Sequence, residues 1–127
     1  MDDKDSLPTY IEMRPPHFDP HKIIVYLDHY DKKLINAEID YDEAKDQKEE
    51  MFDFVISEKV SNESISVAQA KVKANNDERY KKLKLELSKR KAYFLLCKVQ
   101  SKNAHSYCEN LKQKSINELA TEKLTRN

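Results

Sequence analysis

The sequence predicts an all-α protein built as a long antiparallel helical hairpin, and three observations carry that expectation. The 127 residues contain no glycine. Charged residues make up 36 % against 39 % apolar ones, a balance suited to long amphipathic helices rather than to a rounded core. Apolar residues recur with a 3.5-residue period through much of the chain, the signature of a coiled-coil seam. No alternating strand pattern occurs.

Residues 1–19 read as an irregular arm. Pro8, Pro15, Pro16 and Pro20 interrupt regular helix, while Tyr10, Ile11, Met13 and Phe18 give the arm adhesive surface. Asp19-Pro20 is a helix start, with Asp as N-cap and Pro as first helical residue. From there Ile23, Leu27, Tyr30, Leu34, Ala37, Tyr41, Ala44, Lys48, Met51 and Val55 alternate in steps of four and three. Lys48 is the one polar member. The first helix is expected to reach about Val60, roughly 60 Å at 1.5 Å per residue. Ile39, Phe52, Phe54 and Ile56 widen its stripe, as though a third element packs there.

The polar run Ser57–Ser64 reads as the turn. Ser66-Val67-Ala68-Gln69 then fits a capping box, in which the serine and glutamine satisfy each other's amides. It should open a short helix at about 66–74. Asn75-Asn76-Asp77 supplies a second interruption and an N-cap for a last helix over about 77–124. Tyr80, Leu83, Leu87, Phe94, Cys97, Ala104, Cys108 and Leu111 continue the three-four spacing, with Arg90, Ser101 and Ser115 weakening it. The hairpin and its connecting helix together span 20–127. Such helices bury little surface per residue, so self-association or a partner is expected.

The formal charge of zero hides an asymmetry. Residues 1–60 carry 16 acidic and 8 basic side chains; residues 61–127 carry 7 and 15. Two oppositely charged helices lying side by side would account for this, as would a basic face left open to a polyanion. Cys97 and Cys108 fall about 16 Å apart on one helix, too far for an intrachain disulfide. They fit a reducing, cytoplasmic setting. The run Ile23-Ile24-Val25-Tyr26-Leu27 is too short for a membrane span.

Without glycine, no Walker loop, dinucleotide-binding turn or nucleophile elbow can be built, so binding is expected rather than catalysis, with no cofactor. The acidic groups Asp40-Asp42-Glu43 and Glu49-Glu50-Asp53 read as solvated surface. His17 with His21, and His105 with Cys108, lack the convergent third and fourth ligands that zinc needs, so no metal is expected. More informative is a basic tract of Lys71, Lys73, Arg79, Lys81, Lys82, Lys84, Lys89, Arg90 and Lys91, interleaved with Tyr80, Tyr93 and Phe94. Cations beside rings form single-strand binding surfaces, although the same rings also suit the seam.

The stretch from Ser66 to Tyr80 (SVAQAKVKANNDERY), followed by a long Lys/Leu/Ala-rich helix, resembles small helical phage-type recombination accessory proteins. The layout of residues 22–120 is similar to that of the UvsY-type recombination mediators. Those have an N-terminal helix, a short basic Lys-Ala-Arg segment and a long C-terminal helix that assembles into a ring. The resemblance implies a homo-oligomer that binds single-stranded DNA and helps a recombinase displace a single-strand binding protein. Lys71, Lys73, Arg79, Lys81 and Lys82 would then contact DNA, while Asn75 stands where that pattern has arginine. The rival expectation is a protein–protein interaction module, an assembly subunit or an inhibitor of a host complex, without nucleic-acid binding.

Overall fold

The computed structural model describes residues 7–8 and 19–125; the rest of the expected N-terminal arm lies outside them. Among the described residues the architecture is all-α: α1 (Pro20–Glu63), α2 (Val67–Asn75) and α3 (Glu78–Thr125). The fold is a helical hairpin with a short connecting helix. None of the helices is long and apolar enough to cross a membrane, among the described residues.

The helix starts follow from local chemistry. Asp19 Oδ1 accepts from the His21 amide at 2.9 Å, and its carbonyl accepts from Ile23 at 3.1 Å. Ser66 Oγ accepts from the Gln69 amide while Gln69 Oε1 accepts from the Ser66 amide, both at 3.2 Å, completing the capping box. Asp77 caps α3 by accepting from the Arg79 amide at 2.9 Å.

The turn is shorter than the polar run suggested. Residues 57–63 stay helical, and only Ser64, Ile65 and Ser66 leave the helix. Serine and glutamate are tolerated in helices, so polarity alone did not end α1. The break falls at Ser64, whose φ of 53° lies in the left-handed region that glycine ordinarily fills.

The chain forms two compact units, one of residues up to 34 with those from 97 onward, the other of residues 35–96. In the first unit Tyr26, Ala104, Cys108 and Leu111 form the buried cluster, with Leu7, Ile23, Leu27, Tyr30 and Tyr107 against it. Tyr26 lies off the strict 3.5-residue seam, yet it is 4 % exposed and its ring meets Tyr30 edge-on at 5.1 Å. Both cysteines are free and buried. Ser101, an apparent flaw in the seam, is buried with its hydroxyl donated to Asp31 at 3.0 Å.

In the second unit Ala37, Ala44, Val55, Ala70, Ala74 and Tyr80 are buried. Tyr41 stacks on Phe94 at 5.6 Å and Phe52 meets Tyr80 at 4.9 Å, pairs that run antiparallel as the seam required. Met51, Leu83 and Leu87 are half-buried along the same stripes, as Leu34 is in the first unit. Two of the four residues expected to widen the stripe do not join it: Ile39 and Phe54 are exposed.

Replacing Tyr26 with alanine should cost about 3 kcal/mol, because a large ring leaves a buried cluster. Leu124→Ala, at a position 77 % exposed, should change stability by under about 0.5 kcal/mol. Urea unfolding of the two variants beside the parent chain measures the difference.

Candidate interaction surface

The nine basic residues all fall in the second unit, Lys71 and Lys73 on α2 and the others on α3. Their surroundings divide them. Arg79 is held in a double clamp: Nη1 and Nη2 donate to Glu58 at 3.2 and 3.0 Å, and Nε and Nη2 donate to Asp77 at 3.1 and 3.0 Å. Its guanidinium also lies 5.8 Å from the Phe54 ring centre. The fork that would grip a phosphate is thus engaged in joining the start of α3 to the end of α1. Hydrogen bonds from Arg79 hold the Glu58 carboxyl below its ordinary value and bring Asp77 down to about 2.

Lys73 pairs with Glu63 at 3.1 Å and Lys81 with Glu78 at 3.8 Å. Arg90 donates to Glu86 at 3.0 Å and lies 3.8 Å from Asp40. Lys84 sits 5.6 Å over the Tyr80 ring. Lys71, Lys82, Lys89 and Lys91 are exposed and make no ion pair among the described residues.

The rings interleaved with these cations are mostly engaged elsewhere. Tyr80 is 8 % exposed and packs on Phe52, while Phe94 is half-buried against Tyr41. Tyr93 is the exposed member of the three. A shallow hollow of about 230 Å³ beside it is lined by Lys89 and Arg90 but also by Asp40 and Glu86, so it has no single sign of charge.

Exposed apolar side chains form the larger feature. In the second unit the outward face of α3 carries Leu85, Leu95 and Leu96, and that of α1 carries Ile35 and Ile39. In the first unit an apolar groove of about 550 Å³ runs between Ile23, Ile24, Leu27, Cys108, Ile116 and Leu119. The seam pattern did not disclose these, because a search for one stripe passes over a second stripe on the same helix. The signal was present, since Leu85, Ala92 and Leu96 also recur at helical spacing.

The sequence also did not single out Asp31. Its Oδ1 accepts from Ser101 Oγ at 3.0 Å and contacts His105 Nε2 at 2.9 Å. The His105 hydrogen bond is the chief cause that lowers the Asp31 carboxyl below its ordinary value. Both partners bond to the carboxylate, so the serine hydroxyl is not directed at the imidazole as an activated nucleophile requires. His105 therefore faces Asp31, while Cys108, which shares its helix face at i, i+3, is buried in the core. His21 is exposed, and His17 lies outside the described residues. Among the described residues no group of three or more His, Cys, Asp or Glu gathers as a metal would need.

No family model matches the sequence, and no curated protein or solved structure shows significant similarity to it.

The clamp at the α3 start sets a pH response. Asp77 is more acidic folded than unfolded, so its contribution is complete above its ordinary value of 3.8 and is lost as pH falls towards about 2. Asp77→Asn keeps a capping side chain but removes this titration. Thermal melts from pH 5 to 2 should show a smaller fall in Tm for the variant than for the parent chain. Equal falls would contradict the clamp.

Proposed function

We propose that this chain is a non-enzymatic protein–protein interaction module, whose binding surfaces are the exposed apolar faces of its hairpin. The observation carrying this reading is how the apolar residues are distributed. The largest fully buried side chains are Val55 and Cys97, whereas Ile24, Ile35, Ile39, Leu85, Leu95 and Leu96 are about half exposed or more. Contiguous apolar surface rimmed by charge is characteristic of surfaces that bind other proteins. Two free buried thiols favour a reducing, cytoplasmic setting.

A second reading, favoured by one observation, is single-stranded DNA binding in the manner of the recombination mediators that the layout of residues 22–120 resembles. Lys71, Lys82, Lys89 and Lys91 leave their charge available to phosphates. In that case the partners would include a recombinase or a single-strand binding protein. The clamped Arg79 and the packed Tyr80 and Phe94 weigh against it, because cations and rings are not jointly presented.

One paired measurement separates the readings. Immobilised chain exposed to cell extract should retain defined proteins that a Leu85→Asp, Leu96→Asp variant loses by at least about tenfold, the cost of roughly 1.4 kcal/mol. The same preparation titrated with a labelled single-stranded oligonucleotide at low salt should show no binding. The DNA reading predicts the reverse: affinity that survives the leucine changes, with the salt slope falling by about 3 when the four free lysines become glutamine.

A further inference from the structure

From the two outward faces of the second unit we infer that the apolar surfaces take a second copy of this chain, the acidic face of α1 docking antiparallel on the basic face of α3. This inference rests on the interaction-module reading and names its partner.

The α1 face is a stripe of Ile35, Ile39, Asp42, Asp46 and Glu49, all exposed and spaced by alternating steps of four and three. The α3 face is a matching stripe of Lys82, Leu85, Lys89, Ala92 and Leu96, exposed and spaced the same way. Each stripe lies away from the seam that joins the helices, where Tyr41 stacks on Phe94. An intermolecular coiled-coil contact needs just such a 3.5-residue repeat on both partners.

Laid antiparallel, the stripes match in four of their five layers in one register. Ile35 meets Leu96 and Ile39 meets Ala92, so the apolar ends coincide. Asp42 then meets Lys89, and Glu49 meets Lys82. Asp46 falls beside Leu85, with Lys81 and Lys89 a turn away on either side. The match ends there, because Asp53 would face Glu78. Neither Lys82 nor Lys89 has an ion pair within the chain, and neither does Glu49, among the described residues. Asp42 has one weak partner, Lys45 at 3.4 Å on its own helix.

Charge favours the unlike pairing over the like one. Laid parallel, two α3 faces would set Lys82 and Lys89 against their own copies, and two α1 faces would do the same with Asp42, Asp46 and Glu49; laid antiparallel with Leu85 on Leu96, two α3 faces would give neither lysine an acidic partner. Like charges brought together in this way disfavour an interface. The favoured contact is therefore heterologous: each copy donates one face and accepts on the other, so assembly continues past the dimer.

Mass-calibrated sedimentation at about 0.1 M salt, where charges are felt over about 10 Å, tests this. The wild-type mass should rise from the 15.0 kDa monomer with concentration. An Asp42→Lys, Glu49→Lys variant and a Lys82→Glu, Lys89→Glu variant should each self-associate at least about tenfold more weakly, with helicity retained by circular dichroism. Mixed in equal amounts they should associate again, since each reversed face finds its complement on the other protein. Recovery on mixing is an effect that simple misfolding cannot produce. A wild-type monomer at every concentration overturns the inference, as does association unaffected by either reversal, or a mixture that fails to recover. A wild-type monomer that instead binds an acidic amphipathic helix places a foreign partner on α3. Either monomeric result leaves the extract-binding measurement as the separate judge of the interaction-module reading.

Discussion

The narrowness of the seam is the constraint from which the other features follow. Buried positions on the long helices are largely alanine, cysteine and serine: Ala37, Ala44, Cys97, Ser101, Ala104 and Cys108. Small side chains let two helices approach closely but remove little apolar area from water, at about 25 cal/mol per Å². The larger apolar residues are then divided. Some lie on the seam but stay half-buried, as Leu34, Leu83 and Leu87 do, and others, such as Ile35 and Leu96, point away from it. A chain with this division has apolar surface to spare on its outside, and that surplus gives it something to bind with.

Electrostatics acts on the same frame at specific points rather than as a broad attraction between acidic and basic halves. Arg79 with Glu58 and Asp77, Lys73 with Glu63, and Arg90 with Asp40 connect residues on different helices or at a helix start. Exposed pairs like these contribute little stability singly, and they fix which groups meet more than how strongly. Their consequence for binding is larger. They remove the arginines from the basic tract and leave isolated lysines, whose charge guides approach without the forked geometry that grips phosphate.

Much of the fold was legible because its determinants are local. Asp19, Ser66 with Gln69, and Asp77 announce their helix starts within three residues, and a 3.5-residue period needs only the sequence of one helix. What was hidden depends on neighbours distant in the chain. Arg79 and Glu58 are 21 residues apart, and Asp31 and Ser101 are 70 apart, so no local pattern marks them as partners. Tyr26 was hidden for a different reason. Beside Ile23, Leu27 and Tyr30 the buried face is broader than a strict coiled-coil stripe, and the extra ring packs there. The turn was misplaced because Ser57 to Glu63 are compatible with helix, and without glycine the reversal carries no sequence mark at Ser64.

The orientation of α3 about its own axis decides which apolar residues enter the seam and which remain outside. Nuclear Overhauser contacts measured on dilute, monomeric chain report that orientation directly. The Phe94 ring should contact the Tyr41 ring, and the Tyr80 ring should contact Phe52. Leu85 and Leu96 should show no contact with Tyr41. Strong Leu96–Tyr41 contacts with none from Phe94 would mean that a different face of α3 forms the seam, and the outward apolar faces would not exist.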